Sequence, residues 1–345
     1  MAKAEIPVIS FEPFLKGDSE QRKAVADQIY RAFHDIGFLY LKDSGILQGR
    51  VDSIFTLARQ FFDLPLDFKK RYTIRDPAEN QGYSPKLAGD HRESYEHRRF
   101  TNELCPTSQE LTDHNPEIAN FQVIMDEFYK ECFALSEQVL KCLALSLGLP
   151  GGEHYFDSMM ERSDPQLRIM HYPPVPAASV TASRGADDAG EKRAKPHCDY
   201  GFCTLLFQDG VGGLEVDPFH TGNYIAAKPI PGTVLINIGD LLHRLLNGRV
   251  KSTLHRVVAP AVEVADESGM LPSRYSIPFF VHPDERANIN PIVLSDQEEQ
   301  LYKGVNAGIW RAWRTSRFYN VPEKEKYFLD QLGIAHELVR TAIIN

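Results

Sequence analysis

The sequence predicts an α+β fold in which a barrel or jelly roll of short strands is flanked by helices, most of them N-terminal. Residues 1–160 are largely helical in pattern after one short strand. From residue 167 to 280 the pattern changes to short alternating runs separated by Gly and Pro, which is typical of antiparallel strands. Seven such runs in succession favour a barrel or a jelly roll.

The individual elements follow from local signals. Pro7 cannot donate to a ladder, so the run 6–10 is predicted to be an edge strand, and the apolar run 37–41 a second strand. Helices are predicted at 19–33 behind an N-cap at Asp18 or Ser19, at 50–62, at 121–147 and at 323–343. The core strands are predicted at 167–172, 197–208, 213–216, 224–227, 233–238, 252–258 and 274–280.

Composition and charge narrow the class of protein. The 345 residues are 43% hydrophobic and 25% charged, which is ordinary for a globular protein. A formal net charge of −9 repels phosphate backbones and argues against nucleic-acid binding. The chain shows no long apolar run and no signal-peptide pattern, so we expect neither a membrane span nor export. Five cysteines without close pairing indicate free thiols and a cytoplasmic location.

Three residues of the strand-rich region are predicted to bind a metal. In His197-Cys198-Asp199, alternation along a strand would turn the imidazole and the carboxylate to one face. That pair alone is weak evidence, because His282-Pro283-Asp284 has the same spacing. His255, inside the predicted strand 252–258, adds the second imidazole that the decoy lacks. Two histidines and one carboxylate that leave adjacent positions open are typical of non-haem iron(II) oxygenases.

A second feature lies on the predicted strand 274–280. Arg274 and Ser276 are two residues apart, so a guanidinium and a hydroxyl would share one face. A buried arginine needs a partner, and its planar fork suits a carboxylate. A small dicarboxylate that chelates the metal at its other end would be that partner. The structural alternative is a buried ion pair of Arg274 with Glu215 or Asp240. Asp240 itself follows Gly239 and is expected in a turn.

Several longer motifs accompany these residues. They are Ile6-Pro-Val-Ile-Ser-Phe11, Gly37-Phe-Leu-Tyr-Leu41, Phe61-Phe-Asp-Leu-Pro65, Gln81-Gly-Tyr83, His171-Tyr-Pro173, Asn237-Ile-Gly-Asp240 and His255-Arg-Val257. With these motifs the chain resembles, along most of its length, the 2-oxoglutarate-dependent dioxygenases of the isopenicillin N synthase-like group. The runs 205–209 and 274–277 look most like fungal members, including thymine hydroxylase-type enzymes.

The resemblance implies a double-stranded β-helix (jelly-roll) core with helices outside it. It implies iron(II) ligands at His197, Asp199 and His255, and 2-oxoglutarate held by Arg274 and Ser276 with help from the Tyr172 hydroxyl. One compact unit is expected, with an N-terminal dioxygenase region at 5–120, the iron and 2-oxoglutarate core at 163–288 and a helical tail at 289–345.

The resemblance also implies the reaction. It would consume O2 and 2-oxoglutarate, release succinate and CO2, and most often hydroxylate an unactivated C–H bond, with ascorbate supporting activity. The expected substrate is a small molecule such as an amino acid, a nucleobase or a secondary metabolite.

Two residues are candidates for substrate binding. Alternation along the strand that ends at Tyr172 places Arg168 on the same face, where it would pair with a substrate carboxylate or polar oxygen. The alternative for Arg168 is a structural salt bridge. Phe280, in phase with Arg274, would wall the substrate or fill the core. Tyr172 has the alternative of an ordinary core tyrosine, and Trp310 and Trp313 in the tail are expected to be packing residues.

Two other functions stay open on the sequence. An oxidase of the isopenicillin N synthase type would use Arg274 for the substrate's own carboxylate and would need no 2-oxoglutarate. A catalytically silent protein would use the jelly roll only to bind a small ligand, although such a protein has no need of three convergent metal ligands. The substrate itself depends on loops at 80–110, 177–194 and 262–273 that no motif determines, and the oligomeric state is equally open.

Overall fold

The computed structural model describes residues 5–75, 80–85, 92–100, 102–176, 194–258, 266–335 and 337. The strands are β1 (Val8–Ser10), β2 (Phe38–Lys42), β3 (Gly82–Ser84), β4 (Glu93–Arg98), β5 (Gln166–Tyr172), β6 (Val175–Pro176), β7 (Ala194–His197), β8 (Cys203–Gln208), β9 (Leu214–Asp217), β10 (Ile225–Ala226), β11 (Thr233–Ile238), β12 (Leu254–Val257), β13 (Met270–Leu271), β14 (Arg274–Val281), β15 (Asn288–Ile289) and β16 (Val305–Asn306).

The α-helices are α1 (Glu12–Lys16), α2 (Ser19–Asp35), α3 (Gln48–Phe62), α4 (Leu66–Lys70), α5 (Ser108–His114), α6 (Phe121–Leu147), α7 (Asp157–Met160), α8 (Asp240–Leu245), α9 (Ala307–Phe318) and α10 (Pro322–Leu332). Among the residues described, none of the helices combines the length and the apolar character that a membrane crossing requires.

Two sheets form the core. The larger has eight strands in the order β1-β2-β11-β8-β14-β5-β4-β3, and the smaller has four in the order β10-β9-β12-β7. Their inner faces pack together through a separate apolar cluster, which joins Phe38, Met170 and Leu235 of the large sheet to Val216 and Val257 of the small one. This is the jelly-roll core that the sequence predicts.

Helices cover the outer face of the large sheet. Phe128 of α6 lies 5.2 Å from Phe207 of β8, and Phe61 of α3 lies 5.0 Å from Tyr95 of β4, measured between ring centroids. Burial of such aromatic pairs stabilises the contact by about 1 kcal/mol beyond the area removed from water. The helical layer is therefore mainly N-terminal, as expected.

The predicted helix boundaries hold where a local signal marks them. Helix α2 begins with a capping box, in which Asp18 accepts from the backbone of Gln21 and the Gln21 side chain accepts from the backbone of Asp18. Helix α6 ends at Gly148, whose φ of 60° is left-handed. The tail helix predicted at 323–343 is wrong in its length, because Gly333, with a φ of 62°, ends α10. Residues 336 and 338–343 of that prediction lie outside the described residues.

The continuous strand predicted at 197–208 is also wrong. Strand β7 ends at His197 and β8 begins at Cys203, so Asp199 lies in the connection between them. The backbone of this connection is hydrogen-bonded to helix α8 and not to a neighbouring strand. The backbone N–H of Asp240 donates to the Asp199 carbonyl at 2.8 Å. A side chain at Gly201 would place its Cβ 2.4 Å from the Val281 carbonyl oxygen, so this close approach requires glycine. Asp240, expected in a turn, is the first residue of α8.

Candidate active site

The three predicted metal ligands meet at one point. His197 at the end of β7 is paired in register with His255 of β12. The Asp199 Oδ1 atom lies 3.9 Å from Nε2 of His197 and 3.8 Å from Nε2 of His255. One ligand atom from each residue lies within 4.8 Å of the other two. The register of the small sheet thus brings together residues 58 positions apart in the sequence (255 − 197).

The hydrogen bonds of the three residues suit a divalent transition metal. The Nδ1–H of His197 donates to the Lys195 carbonyl at 2.8 Å and that of His255 to the Thr253 carbonyl at 3.0 Å, which leaves the Nε2 lone pair of each ring available to a metal. Desolvation and the neighbouring His255 lower the pKa of His197, so its imidazole is neutral at pH 7. Burial opposes ionisation of Asp199, yet the two histidines and two hydrogen bonds outweigh it and lower its pKa.

Two residues that sequence reasoning missed hold the Asp199 carboxylate. The Thr204 hydroxyl donates to Oδ2 of Asp199 at 2.5 Å, and the Asn237 amide donates to the same oxygen at 2.8 Å. Thr204 and Asn237 face each other in the β8–β11 register. Oδ1 is thereby left to face the histidines. Asn237 lies in one of the family motifs, but only the strand pairing reveals its role.

Arg274 is buried on the inner face of the large sheet and has no counter-ion among the described residues. Its side chain is 1% exposed, its Nε donates to the Gly212 carbonyl at 2.7 Å, and its Nη1 lies 3.3 Å from the Ser276 hydroxyl. Among the described residues no carboxylate lies within 4.0 Å of it. The alternative of an internal ion pair is therefore wrong, since Glu215 pairs with Arg256 and Asp240 with Arg314.

Ser276 and Tyr172 border the same guanidinium. Arg274 and Tyr172 are direct partners in the β14–β5 register, and the guanidinium carbon lies 4.9 Å from the centre of the Tyr172 ring. Tyr172 is 2% exposed, and its hydroxyl lies 4.0 Å from the Met170 sulfur. A buried cation next to two hydroxyl-bearing side chains can bind a carboxylate.

Arg168 and Phe280 also contact each other on this face. The Arg168 guanidinium lies 5.0 Å from the centre of the Phe280 ring. Arg168 also forms the salt bridge that was its structural alternative, because its Nε lies 2.5 Å from Oε1 of Glu96, its partner in the β5–β4 register. Glu96 is 1% exposed and also accepts from Gln166 and Ser94. Glu96 was missed because the pairing joins strands 72 residues apart (168 − 96).

The tail supplies one more residue that the sequence did not indicate. Tyr319, just after α9, donates its hydroxyl to Oδ1 of Asn80 at 2.9 Å. The Asn80 carbonyl in turn accepts from the Gln166 amide, which also donates to Glu96, the partner of Arg168. The tail is therefore joined to the Arg168–Glu96 pair through Asn80 and Gln166.

The decoy pair and the loops are placed differently from the triad. His282 is buried against Tyr200, with ring centroids 5.3 Å apart, and Asp284 pairs with Arg286. Within the described ranges, the triad is the one group of three or more His, Cys, Asp or Glu side chains close enough to share a metal.

The loop expected at 262–273 contains β13, which pairs with β6. Residues 177–193 and 262–265 of the predicted loops lie outside the described residues, as do 86–91 and 101 of the loop at 80–110.

Comparisons with known proteins agree with this geometry. Residues 163–283 match the 2OG-Fe(II) oxygenase superfamily, and residues 6–123 match the N-terminal region of the non-haem dioxygenases in morphine synthesis. A 2-oxoglutarate-dependent dioxygenase of Dothideomycetidae sp. is 31% identical over 84% of this chain and 89% of its own. A proline hydroxylase of Petromyces alliaceus is 30% identical over 87% of this chain and 94% of its own.

Solved structures are similar as well. A full-length Neurospora crassa protein in complex with α-KG and 5-formyluracil superposes with a TM-score of 0.80 at 34% identity, over 91% of this chain and 96% of that one. The complex of the same Neurospora crassa protein with α-KG and thymine gives a TM-score of 0.80 at 33% identity, over 92% and 97% of the two chains.

Proposed function

Because this chain belongs to the 2OG-Fe(II) oxygenase superfamily, we propose that it hydroxylates a C–H bond of a small, planar, uncharged heterocycle such as a pyrimidine base. The chain is a 2-oxoglutarate-dependent dioxygenase of small molecules that uses iron(II), 2-oxoglutarate and O2, with His197, Asp199 and His255 as the iron-binding triad. The relatives reported above give no support to the alternatives of an oxidase without 2-oxoglutarate or a silent binder.

Iron and the residues around the triad have separate proposed roles. Iron(II), when bound, supplies the oxygen-activating chemistry by which 2-oxoglutarate is converted to succinate and CO2 and the substrate is oxidised. Arg274 and Ser276 are proposed to hold the distal carboxylate of 2-oxoglutarate, with the Tyr172 hydroxyl assisting. The absence of a carboxylate partner for buried Arg274 in the described part of the chain supports this role, since burying a guanidinium without a counter-ion is costly and a carboxylate ligand offsets that cost.

The proposed substrate class rests on one observation, the pairing of Arg168 with Glu96. Since the two opposite charges lie 2.5 Å apart, Arg168 offers hydrogen-bond donors with little net charge. Such a donor suits a carbonyl oxygen better than a free carboxylate. Phe280, beside the guanidinium, offers a flat apolar wall for a ring. The Neurospora crassa protein, which has been solved with thymine and with 5-formyluracil, supports the same class of substrate.

Succinate release on a small substrate panel tests the proposal. Purified protein with iron(II), ascorbate and 2-oxoglutarate is given thymine, uracil or L-proline. We expect succinate in proportion to oxidised pyrimidine, and little above background with proline. The proposal is wrong if proline drives turnover and neither pyrimidine does, a result that the proline hydroxylase relative makes worth testing.

A matched pair of variants tests whether Arg168 contacts the substrate. Arg168→Lys keeps the charge but loses the planar fork, so KM for the pyrimidine should rise about tenfold or more, in line with about 1–3 kcal/mol for a lost polar contact. Arg256→Lys is the control, because Arg256 also pairs with a glutamate and lies 3.8 Å from an aromatic ring centre, that of Tyr224. Equal KM values in the two variants would contradict a substrate contact at Arg168.

A further inference from the structure

A cavity that none of the triad residues lines adjoins the connection that carries Asp199, because its lining residues Arg314 and Trp310 donate to the backbone of that connection. It has a volume of about 460 Å³ and lies between α8, α9 and the segments around Phe219 and Lys251. None of the residues assigned above to iron, 2-oxoglutarate or substrate lines it. We call it the tryptophan cavity, after Trp310 and Trp313, which line it together with Phe219, Tyr302, Lys251 and Arg314.

The walls of the tryptophan cavity suit a planar ring. The rings of Trp310 and Trp313 lie 5.0 Å apart at an interplanar angle of 69°, and Tyr302 adds a third aromatic side chain. The two tryptophans are 3% and 2% exposed, so they pack in the core as expected and also border the cavity. The volume is in the range of small-molecule sites.

Among the described residues that line the cavity, Lys251 is a cation without a carboxylate partner. Asp240, the one carboxylate among the described lining residues, pairs with Arg314 and accepts from Ser252. Arg244 pairs with Glu337. Lys251 donates to the Asp35 carbonyl at 2.7 Å and lies 5.4 Å from the Phe219 ring centre. Within the described ranges no carboxylate lies within 4.0 Å of the Lys251 ammonium, which has two further donors to offer.

Two histidines line the cavity, and Nε2 of one of them, His220, accepts from the Leu254 N–H at 3.3 Å. His243 donates from Nδ1 to the Val250 carbonyl at 2.6 Å, and its Nε2 accepts from the Tyr302 hydroxyl at 2.7 Å. Burial lowers the pKa of His243, so the ring is neutral at pH 7. Arg317, the remaining lining cation, also has a partner of its own. Lys251 is therefore the cation that an incoming anion would meet.

We propose that the tryptophan cavity binds a small aromatic carboxylate, with its ring against Trp310, Trp313 and Tyr302 and its carboxylate on Lys251. The aromatic walls favour an organic acid over inorganic phosphate, and the unpaired ammonium favours an acid over its neutral amide. The site is separate from the catalytic one and has its own ligand.

The cavity is mechanically connected to an iron ligand. Three consecutive backbone carbonyls of the connection that carries Asp199 accept hydrogen bonds from cavity residues. Arg314 donates to the Cys198 carbonyl at 3.0 Å, the Asp240 N–H to that of Asp199 at 2.8 Å, and Trp310 Nε1 to that of Tyr200 at 3.1 Å. A ligand that shifts these residues changes the position of Asp199. The two binding events are then linked, so that the cavity ligand changes the affinity for iron and iron changes the affinity for the cavity ligand by the same factor.

Tryptophan fluorescence tests the site directly, because the only two tryptophans of the chain both line the cavity. Iron(II)-loaded protein is titrated without oxygen with benzoate, and in parallel with benzamide, benzylamine and inorganic phosphate. We expect a saturable change with benzoate at a concentration at least tenfold lower than with benzamide, and none with benzylamine or phosphate. Lys251→Gln should weaken benzoate at least tenfold, whereas Lys251→Arg and the exposed control Lys130→Gln should not.

Other outcomes overturn the proposal. Equal responses to benzoate and benzamide, a response to phosphate alone, or a benzoate response that survives Lys251→Gln would each contradict it. Benzoate that competes with 2-oxoglutarate and ignores Lys251→Gln would be binding at the catalytic iron. Saturating benzoate should also shift the iron(II) dissociation constant of the wild type and not that of Lys251→Gln; an unchanged constant in both would disprove the linkage.

Discussion

The Thr204 hydroxyl donates to Oδ2 of Asp199 at 2.5 Å, the carboxylate oxygen that does not face the two histidines. Together with the Asn237 amide on the same oxygen, this bond determines which oxygen is offered to the metal. Asp199 needs such support, because it lies in the connection between β7 and β8, where no ladder holds it.

Loss of this support should weaken metal binding without removing a ligand. Thr204→Val keeps the shape of the side chain and removes the donor, so iron(II) affinity should fall about 10- to 100-fold. Equilibrium dialysis against iron(II) under argon measures it. Thr56→Val, on the exposed face of α3, is the control, since its hydroxyl donates only to the Asp52 carbonyl. Wild-type affinity in Thr204→Val would contradict the positioning role.

Removal of a metal ligand should lower iron(II) affinity more than Thr204→Val does. His255→Ala should abolish iron retention while circular dichroism and the melting temperature stay near those of the wild type, because the ring makes one hydrogen bond of its own, to Thr253. The same measurement separates the two H-x-D pairs. Asp199→Asn should lose the metal and Asp284→Asn should keep it; the reverse would mean that the wrong pair was chosen.

The contrast between those pairs shows what a sequence can reveal. The order His197, Asp199, His255, Arg274, Ser276 was sufficient to predict the triad and its neighbours, because strand alternation and motif spacing are local properties. The partners of these residues were not predictable. Glu96 meets Arg168, and Thr204 meets Asn237, only through cross-strand register, which tertiary packing decides. Even the prediction of a strand through Asp199 was wrong, since the Gly201 carbonyl accepts a hydrogen bond from α8 and not from a neighbouring strand.

A buried polar network centred on Glu93 of β4 should make the stability of the fold sensitive to acid. Burial raises the pKa of Glu93, but hydrogen bonds from His171, Tyr83 and Lys69 outweigh it, so the pKa lies below its ordinary value of 4.5. A lowered pKa adds stability that is present above 4.5 and is lost as the pH falls through the lower, folded-state value. Glu93→Gln should therefore lose about 3 kcal/mol of unfolding free energy at pH 7, where Lys69 is left buried without its partner.

Urea denaturation between pH 7 and about pH 3 measures this effect. The difference between wild type and Glu93→Gln should narrow as the pH falls. Glu153→Gln is the matched control, because its ion pair with Arg22 is more exposed and should contribute about 1 kcal/mol or less. A constant difference across the range would show that the Glu93 charge is not the cause.

The most direct test of the account concerns Arg274 and the far end of 2-oxoglutarate. The measurement is the ratio of kcat/KM for 2-oxoglutarate to that for 2-oxopentanoate, which keeps the 2-oxo acid and lacks the distal carboxylate. In the wild type the ratio should exceed about 100, as expected when a charged hydrogen-bonded contact is lost and a buried partner is left unpaired. In Arg274→Met it should collapse towards 1 with iron still bound. A ratio that survives in Arg274→Met would contradict the assignment of Arg274 as the anchor of the cosubstrate.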